Sequence, residues 1–548
     1  MITVAEYLFR RLQELGIEDI FGVPGDYNLS FVDMLENHKN INWIGNCNEL
    51  NASYSADGYA RVKGFGAVIT TYGVGELSAL NGIAGAFSEQ VPIVHIAGGP
   101  ALHKQDLRRK IHHSLGNGDF NCFENIYKNV CHTTASLNFY NACDEIDRVI
   151  LDIWKYRYPV YILLPEDVAT YLVLPPKKPL DLALPISDEA QLSTVYEKLK
   201  GQLSSANKAC VILGEEINRY QINDQLVKML EKTQLPFVTV WGSKGVIDES
   251  NKNYCGLYRG AMSSAETRSF VENADIVLAF GVSWDEINTV GFSHNIAKER
   301  LYDFHSCETI IHDRTYHETS MFNVIDLISK DNYIYEGLHP TITTDSLPNP
   351  LTGEILQKHL PSVFNSLITD STVLLSETGT SLFNSGEYTF TGNSKLIIGK
   401  MWASIGYATP ATLGVSIALK GQGRAILITG DGALQMTVQS ISTMLNKHVN
   451  PIIIIINNHG YTIERMFHGK HASYNDVQEW DYTALPATFG GDAYTEKVFT
   501  MEELYSAIAK VQNHHDKLCL IEIMMDKYDQ PQPLLSFVAA LNPDKSKD

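Results

Sequence analysis

What this 548-residue sequence has little of narrows it first. Lysine and arginine total 43 against 63 aspartates and glutamates, a formal net charge of −20. Non-specific nucleic-acid or anionic-membrane binding needs basic surface that such a chain lacks. Any phosphate ligand must then be held locally, by backbone N–H groups, a metal ion or a few cations. The eight cysteines are scattered and form no CxxC pair. That argues against a zinc site or disulfide framework and for free thiols in a reducing compartment. No apolar run approaches the roughly 20 residues that cross a bilayer. The opening MITVAEYLFRRLQELGIEDIF sets Val4, Leu8, Leu12 and Leu15 at helical spacing, broken by Glu6 and Glu14. It reads as an amphipathic helix and not as a targeting segment, so a cytoplasmic location is the expectation.

What is present is a succession of short apolar runs separated by helix-length segments: IEDIFGV, GAVITTY, VPIVHIAG, YPVYILLP, ACVILG, FVTVWG, ADIVLAFG, STVLLSE, RAILITG, PIIIIIN and KLCLIEIMM. Alternation of this kind predicts parallel sheets with crossover helices. The runs are too many for one sheet. Proline-rich stretches near 165–190 and 335–352 lose periodicity and read as linkers. The expectation is an α/β chain of three doubly wound parallel-sheet domains, over 1–175, 185–340 and 350–548, each of ordinary size.

Ligands of open parallel sheets bind beyond the carboxyl ends of strands, so the residues just after each run carry the chemistry. RAILITG ends at Gly430-Asp431-Gly432; LQMTVQSISTMLNKH predicts one helix; PIIIIINN is the next strand. Twenty-four residues lie between Gly432 and Asn457, enough for a crossover helix and two loops. If the two strands are neighbours, Asp431 and Asn458 emerge side by side. With the Gly460 carbonyl they form a hard-oxygen site suited to Mg²⁺, with positions left for phosphate oxygens and water. The glycines beside Asp431 allow close backbone approach to a diphosphate. DG and NN are also ordinary turn chemistry; their joint spacing across one βαβ unit favours the metal.

Other phosphate motifs fail. There is no GxxxxGK[ST], and Gly73-Val-Gly75-Glu-Leu-Ser78 lacks the third glycine of a dinucleotide fingerprint. The run VPIVHIAGG after it does not end in the acidic residue a ribose needs.

GDG followed at this distance by NN resembles the signature of thiamine diphosphate enzymes. The resemblance covers essentially the whole chain and is closest to the pyruvate and indolepyruvate decarboxylases, a branch of 2-oxo acid decarboxylases. It implies pyrimidine-binding, middle and diphosphate-binding domains, with thiamine diphosphate and Mg²⁺ as cofactors. It assigns the metal to Asp431, Asn458 and Gly460, and the aminopyrimidine contact to Glu49 of WIGNCNELNASYSADGYAR. On residue chemistry alone, Glu49 also suits a first-turn glutamate and Asp26 of IFGVPGDYN a helix-terminal carboxylate. The resemblance makes Asp26, His112, His113 (of IHHSLGNGDF) and Glu464 the acid–base groups around the reacting carbon. Such groups are needed to protonate an alkoxide and then a carbanion carbon, work that histidine performs near neutral pH. Adjacent histidines do not share a helix face, which argues against a two-ligand metal site.

Further cofactor contacts implied are Thr378 and Thr380 of SETGTSLF, Ala403, Ser404 and Ile405 of MWASIGYATP, and Gly432, Ala433, Tyr461 and Ile463. Ile405 is the expected wedge beneath the cofactor, and Phe383, Ile463 and Val538 match positions that shape the substrate pocket. Two departures stand out: Ala403 where many relatives have Gly, and His459 where they often have Asp or Glu. The activity implied is non-oxidative decarboxylation of a small-molecule 2-oxo acid to an aldehyde and CO₂. Glu464, if buried, should have a raised pKa. The alternatives are an acetolactate-synthase-like carboligase and a non-catalytic nicotinamide-binding scaffold. The resemblance also implies a homo-oligomer, dimer at least and tetramer by expectation, in which Glu49 and Asp431 of different chains share each site.

Overall fold

The computed structural model describes residues 1–340 and 351–541. All eleven apolar runs form strands, because each is covered on both faces and rich in β-branched residues. They fall into three main sheets. The first has six parallel strands between Asp19–Gly22 and Val160–Pro165, and the third has six between Thr372–Ser376 and Cys519–Met524.

The middle sheet departs from the all-parallel expectation. Its seven strands end in Leu301–Phe304, Glu308–Ile311 and Arg314–His317, paired antiparallel. The connections leave only residues 305–307 and 312–313, far short of the dozen that a parallel crossover requires. The stretch 165–190 is also more ordered than a linker: it holds the helix Glu166–Ala169, and Leu172–Val173 pairs antiparallel with Ile2–Thr3. Of the second proposed linker, residues 341–350 lie outside the described residues.

The amphipathic opening forms the helix Val4–Glu14, with its apolar face buried in the first core. The helix expected after Gly432 is two, Asp431–Thr437 and Ser440–Asn446. Tertiary partners compete with helix bonding at the break: the Thr437 hydroxyl donates to Gly406 O (2.6 Å), and Thr437 O accepts from the Asn51 amide (3.4 Å). Among the described residues no helix is long and apolar enough to cross a membrane.

Strand order locates the crevices. In the first sheet the order reverses between Asp19–Gly22 and Gly66–Thr71, and in the third between Thr372–Ser376 and Arg424–Gly430. Asp26 follows the former crevice; Glu377, Thr378 and Asp431 stand at the latter. The two domains meet through the helices Glu49–Lys63 and Ala408–Leu419. A β-carbon at Gly58 would lie 2.2 Å from Ala411 O, and one at Gly414 1.8 Å from Ser55 O. These backbones touch directly, which only the small residues of ASYSADG and ATLG permit.

Candidate active site

The site residues fall into two groups, one per crevice. In the first, Gly25 is required because a β-carbon there would lie 2.5 Å from Thr71 Cβ. The Asn28 side chain closes the turn, accepting from Gly25 N–H (2.9 Å) and donating to Val23 O (3.1 Å). Asn28, not Asp26, therefore serves the local backbone. Asp26 instead pairs with His112 Nε2 and lies 3.6 Å from His113 Nε2. The His112 ring stacks on Tyr27 at 5.0 Å, and the Tyr27 hydroxyl donates to His112 O. Two histidines far from Asp26 in sequence thus converge on one carboxylate, all three partly open to solvent. Such a cluster can shuttle protons to a ligand above it.

Glu49 opens the helix Glu49–Lys63, whose N-cap Asn48 accepts from Asn51 N–H. A β-carbon at Gly75 would lie 3.0 Å from Glu49 Oε1. Partial burial raises the Glu49 pKa. Thr71, missed in the sequence, has a buried hydroxyl without a hydrogen-bond partner beside these groups. A threonine ending an apolar strand carries no signal by itself.

In the second group, the strands Arg424–Gly430 and Ile452–Asn457 are parallel neighbours, as the motif spacing required. Asp431 is buried; its carboxylate accepts from Gly432 N–H (2.8 Å) and Gly460 N–H (2.9 Å). Desolvation pushes its pKa to about 6. The Asn458 amide is oriented by its partner. Thr462 Oγ1 donates to Lys527 O, so it accepts from Asn458 Nδ2 at 2.9 Å, leaving Oδ1 as the free end. Gly460 adopts φ +125°, and a β-carbon there would meet Asn475 O at 2.0 Å. Tyr461 is held by Asn475 O accepting its N–H. A carboxylate, an amide oxygen and a glycine turn fit a hard divalent cation, and a β-carbon on Gly430 would meet only open space.

Around this centre, the Thr378 hydroxyl donates to Gly399 O and Thr380 Oγ1 accepts from Gln357. Glu377, also missed, is fully buried and accepts from Thr378 and Ala408 N–H groups; burial raises its pKa to about 7. Ser404 Oγ accepts from the Tyr54 hydroxyl (2.8 Å), and Ile405 is half-buried beside it. Ala433 is buried, while Gly432 backs onto the Tyr461 ring. Ile463 packs on the C-terminal core with Val538, near Phe383.

Three of the residues singled out in the sequence take particular settings. Glu464 is exposed in the helix Thr462–Phe467, so the condition of burial is not met within this chain. Ala403 is left-handed, at φ +52°; its methyl carries a cost of about 1 kcal/mol that glycine avoids. His459 is left-handed too. Its ring lies 2.7 Å from Glu479, and its carbonyl accepts from Arg465. No hydrogen bond or ion pair among the described residues joins the Asp26 group to the Asp431 group.

The middle-domain crevice is filled by its own acids. Glu215 accepts from Ser283 N–H and Asn288 and pairs with Lys400; Glu216 accepts from Ser306 N–H and pairs with His305.

Three family models match in sequence: thiamine pyrophosphate enzyme N-terminal TPP binding domain at residues 2–121, central domain at 196–324, and C-terminal TPP binding domain at 377–523. This chain belongs to the thiamine pyrophosphate enzymes. Within that class it is similar to a pyruvate decarboxylase of Aspergillus fumigatus, 39% identical over 97% of this chain and 96% of the relative. Pyruvate decarboxylase isozyme 2 of Saccharomyces cerevisiae is 37% identical over 97% of each chain. An alpha-keto-acid decarboxylase of Mycobacterium avium is 34% identical over 99% and 97%.

Proposed function

We propose that this protein decarboxylates a 2-oxo acid to an aldehyde and CO₂, using thiamine diphosphate and Mg²⁺. The observation that carries the reading is the convergence of Asp26, His112 and His113 at one sheet crevice; buried Asp431, accepting from Gly432 and Gly460 N–H at another crevice, supports it. When bound, the cofactor supplies the nucleophilic carbon and the electron sink. Asp431, Asn458 and the Gly460 carbonyl would hold the metal. Thr378, Thr380, Ala403, Ser404, Ala433, Tyr461 and Ile463 would line the cofactor, and Ile405 would wedge beneath it. Glu49 would hold a proton for the pyrimidine ring, and its partial burial, which raises its pKa, favours the protonated form. Asp26, His112, His113 and Glu464 move protons to oxygen and carbon in turn.

Among the described residues no hydrogen bond or ion pair joins the two groups, and large apolar side chains flank them in the open: Val74, Leu77, Met401, Trp402 and Met436. We read this as a homo-oligomer, a dimer at least and by the resemblance a tetramer, whose second subunit completes the site and buries Glu464. The free cysteines suit the cytoplasm.

The nicotinamide alternative is disfavoured, since the His113 carbonyl fills the space beside Gly73 where a dinucleotide would approach. The test supplies thiamine diphosphate, Mg²⁺ and a panel of pyruvate, phenylpyruvate, indolepyruvate and branched-chain 2-oxo acids. Aldehyde formation, with activity confined to oligomeric fractions on sizing, is the expected result. Acetolactate-type carbon–carbon products as the main output, or NADH oxidation without a coupling enzyme, would overturn it.

A further inference from the structure

The sequence Gly73-Val-Gly75-Glu-Leu-Ser, a failed dinucleotide fingerprint, forms the N-cap and first turns of the helix Val74–Ser88, just after the strand Gly66–Thr71. This turn is wedged between two residues of the first group, His113 and Glu49. A β-carbon on Gly73 (φ +62°) would lie 1.8 Å from the His113 carbonyl, and one on Gly75 3.0 Å from Glu49 Oε1. Beneath it lies Glu76, with 0% exposure. One carboxylate oxygen accepts from Gly73 N–H (2.7 Å) and the other from the Tyr161 hydroxyl (2.7 Å). The Glu76 carbonyl accepts from Tyr127, whose ring stacks on Tyr161 at 4.5 Å.

Among the described residues no cation pairs with this carboxylate. A buried, unpaired acid is costly, and an apolar side chain would pack there more cheaply. What Glu76 provides that an apolar residue does not is a tether from the sheet core to the backbone of the turn. Desolvation raises its pKa to about 7, so near neutrality a neutral side chain of the same shape already serves part of the time.

We propose that Glu76 is a positioning residue, holding the Gly73–Gly75 turn from below so that the His113 backbone and the Glu49 carboxylate keep a fixed spacing. The proposal rests on the reading of Glu49 and His113 as site residues.

Two readouts test it. One is the kcat and KM of the holoenzyme. The other is the rate of diethylpyrocarbonate modification of His113 in cofactor-free protein, mapped by mass spectrometry, with buried His95 as the internal reference for an intact fold. For Glu76→Leu the expected result is a kcat at least about tenfold lower, a KM within about threefold, and faster modification of His113 while His95 stays protected. Glu76→Gln should restore both, since its amide oxygen caps Gly73 N–H and its NH₂ donates to a reoriented Tyr161 hydroxyl. Wild-type kcat and wild-type His113 reactivity in Glu76→Leu would overturn the proposal. Should Glu76→Leu fail to fold, Gly73→Ala pushes on the His113 carbonyl directly, and unchanged His113 reactivity there overturns it equally. If the wild type forms no aldehyde from any 2-oxo acid, the functional reading falls, while the His113 protection measurement still decides the tether.

Discussion

Asp431→Asn separates folding from cofactor binding in a way that can be worked from the structure. In the cofactor-free protein the buried carboxylate is under strain: its pKa stands at about 6 against an ordinary 3.8. At 1.36 kcal/mol per pH unit that rise is worth about 3 kcal/mol of destabilisation at neutral pH. Asparagine is neutral and removes it. The amide has one acceptor oxygen for the two N–H groups of Gly432 and Gly460, so one donor loses its partner at a cost of about 1–3 kcal/mol. The sum is a cofactor-free variant between equal to and about 2 kcal/mol more stable than wild type. For a cooperative unit of this domain's size that is a Tm unchanged or higher by several degrees, at about 2–4 °C per kcal/mol. Thiamine diphosphate and Mg²⁺ at about 100 times Kd should raise wild-type stability by about 2.7 kcal/mol and leave the variant unmoved. The sign can be tested by pH. As pH falls through 6, the wild-type carboxyl protonates and its penalty is relieved, by about 1.4 kcal/mol between pH 7 and 5, whereas the variant has nothing to relieve. Differential scanning fluorimetry at both pH values, with and without cofactor, reads all four states. A cofactor-free variant destabilised by more than about 2 kcal/mol, or a retained Mg²⁺-dependent shift, would refute the reasoning.

Three other outcomes are expected. Glu49→Gln and Glu464→Gln should each lower turnover at least about 100-fold with an unchanged circular dichroism spectrum; near-normal aldehyde release from either would sink the assignment. Below pH 6 the apparent affinity for thiamine diphosphate with Mg²⁺ should fall about tenfold per pH unit, because the Asp431 carboxyl must release its proton to take a cation; calorimetric titrations with no proton release at pH 5.5 would contradict this. Gly414→Ala, a change worth about 1 kcal/mol of stabilisation in an exposed helix, should here cost about 2 kcal/mol net, since its β-carbon meets Ser55 O at 1.8 Å. A raised Tm would show that the helices separate freely.

Much of the scaffold was legible because doubly covered strands leave continuous apolar runs. The strands that escaped notice are the edges and near-edges, such as Asn42–Gly45, Thr133–Ser136 and Tyr494–Val498. Their sequences NWIG, TTAS and YTEKV face solvent on one side and carry no such run. The adjacency of Asp431 and Asn458 was legible because they follow the two strands of one βαβ unit, where spacing encodes neighbouring strands. The Asp26 cluster was reached only through resemblance, for its members lie 86 residues apart and no local pattern joins them. Thr71, Glu76 and Glu377 were passed over for a different reason. A polar residue at the end of an apolar strand, or in the first turn of the helix after it, reads as a turn or a cap, and only the fold shows it buried. The single helix expected after Gly432 failed where Gly406 and Asn51 drew Thr437 out of line, a competition that no window of sequence contains.

The direct backbone contact between the helices Glu49–Lys63 and Ala408–Leu419 has a mechanical meaning. Side chains at an interface act as springs, because rotamers give before main chains do. Here Gly58 against Ala411 and Gly414 against Ser55 leave no spring in between. The pair behaves as a solid axle, with Glu49 at one end of one helix and the Ala403–Gly406 loop feeding the start of the other. Compliance for admitting a substrate is then expected from segments off the axle, 107–121 with the histidines and 459–475, whose short helix Thr462–Phe467 carries Glu464.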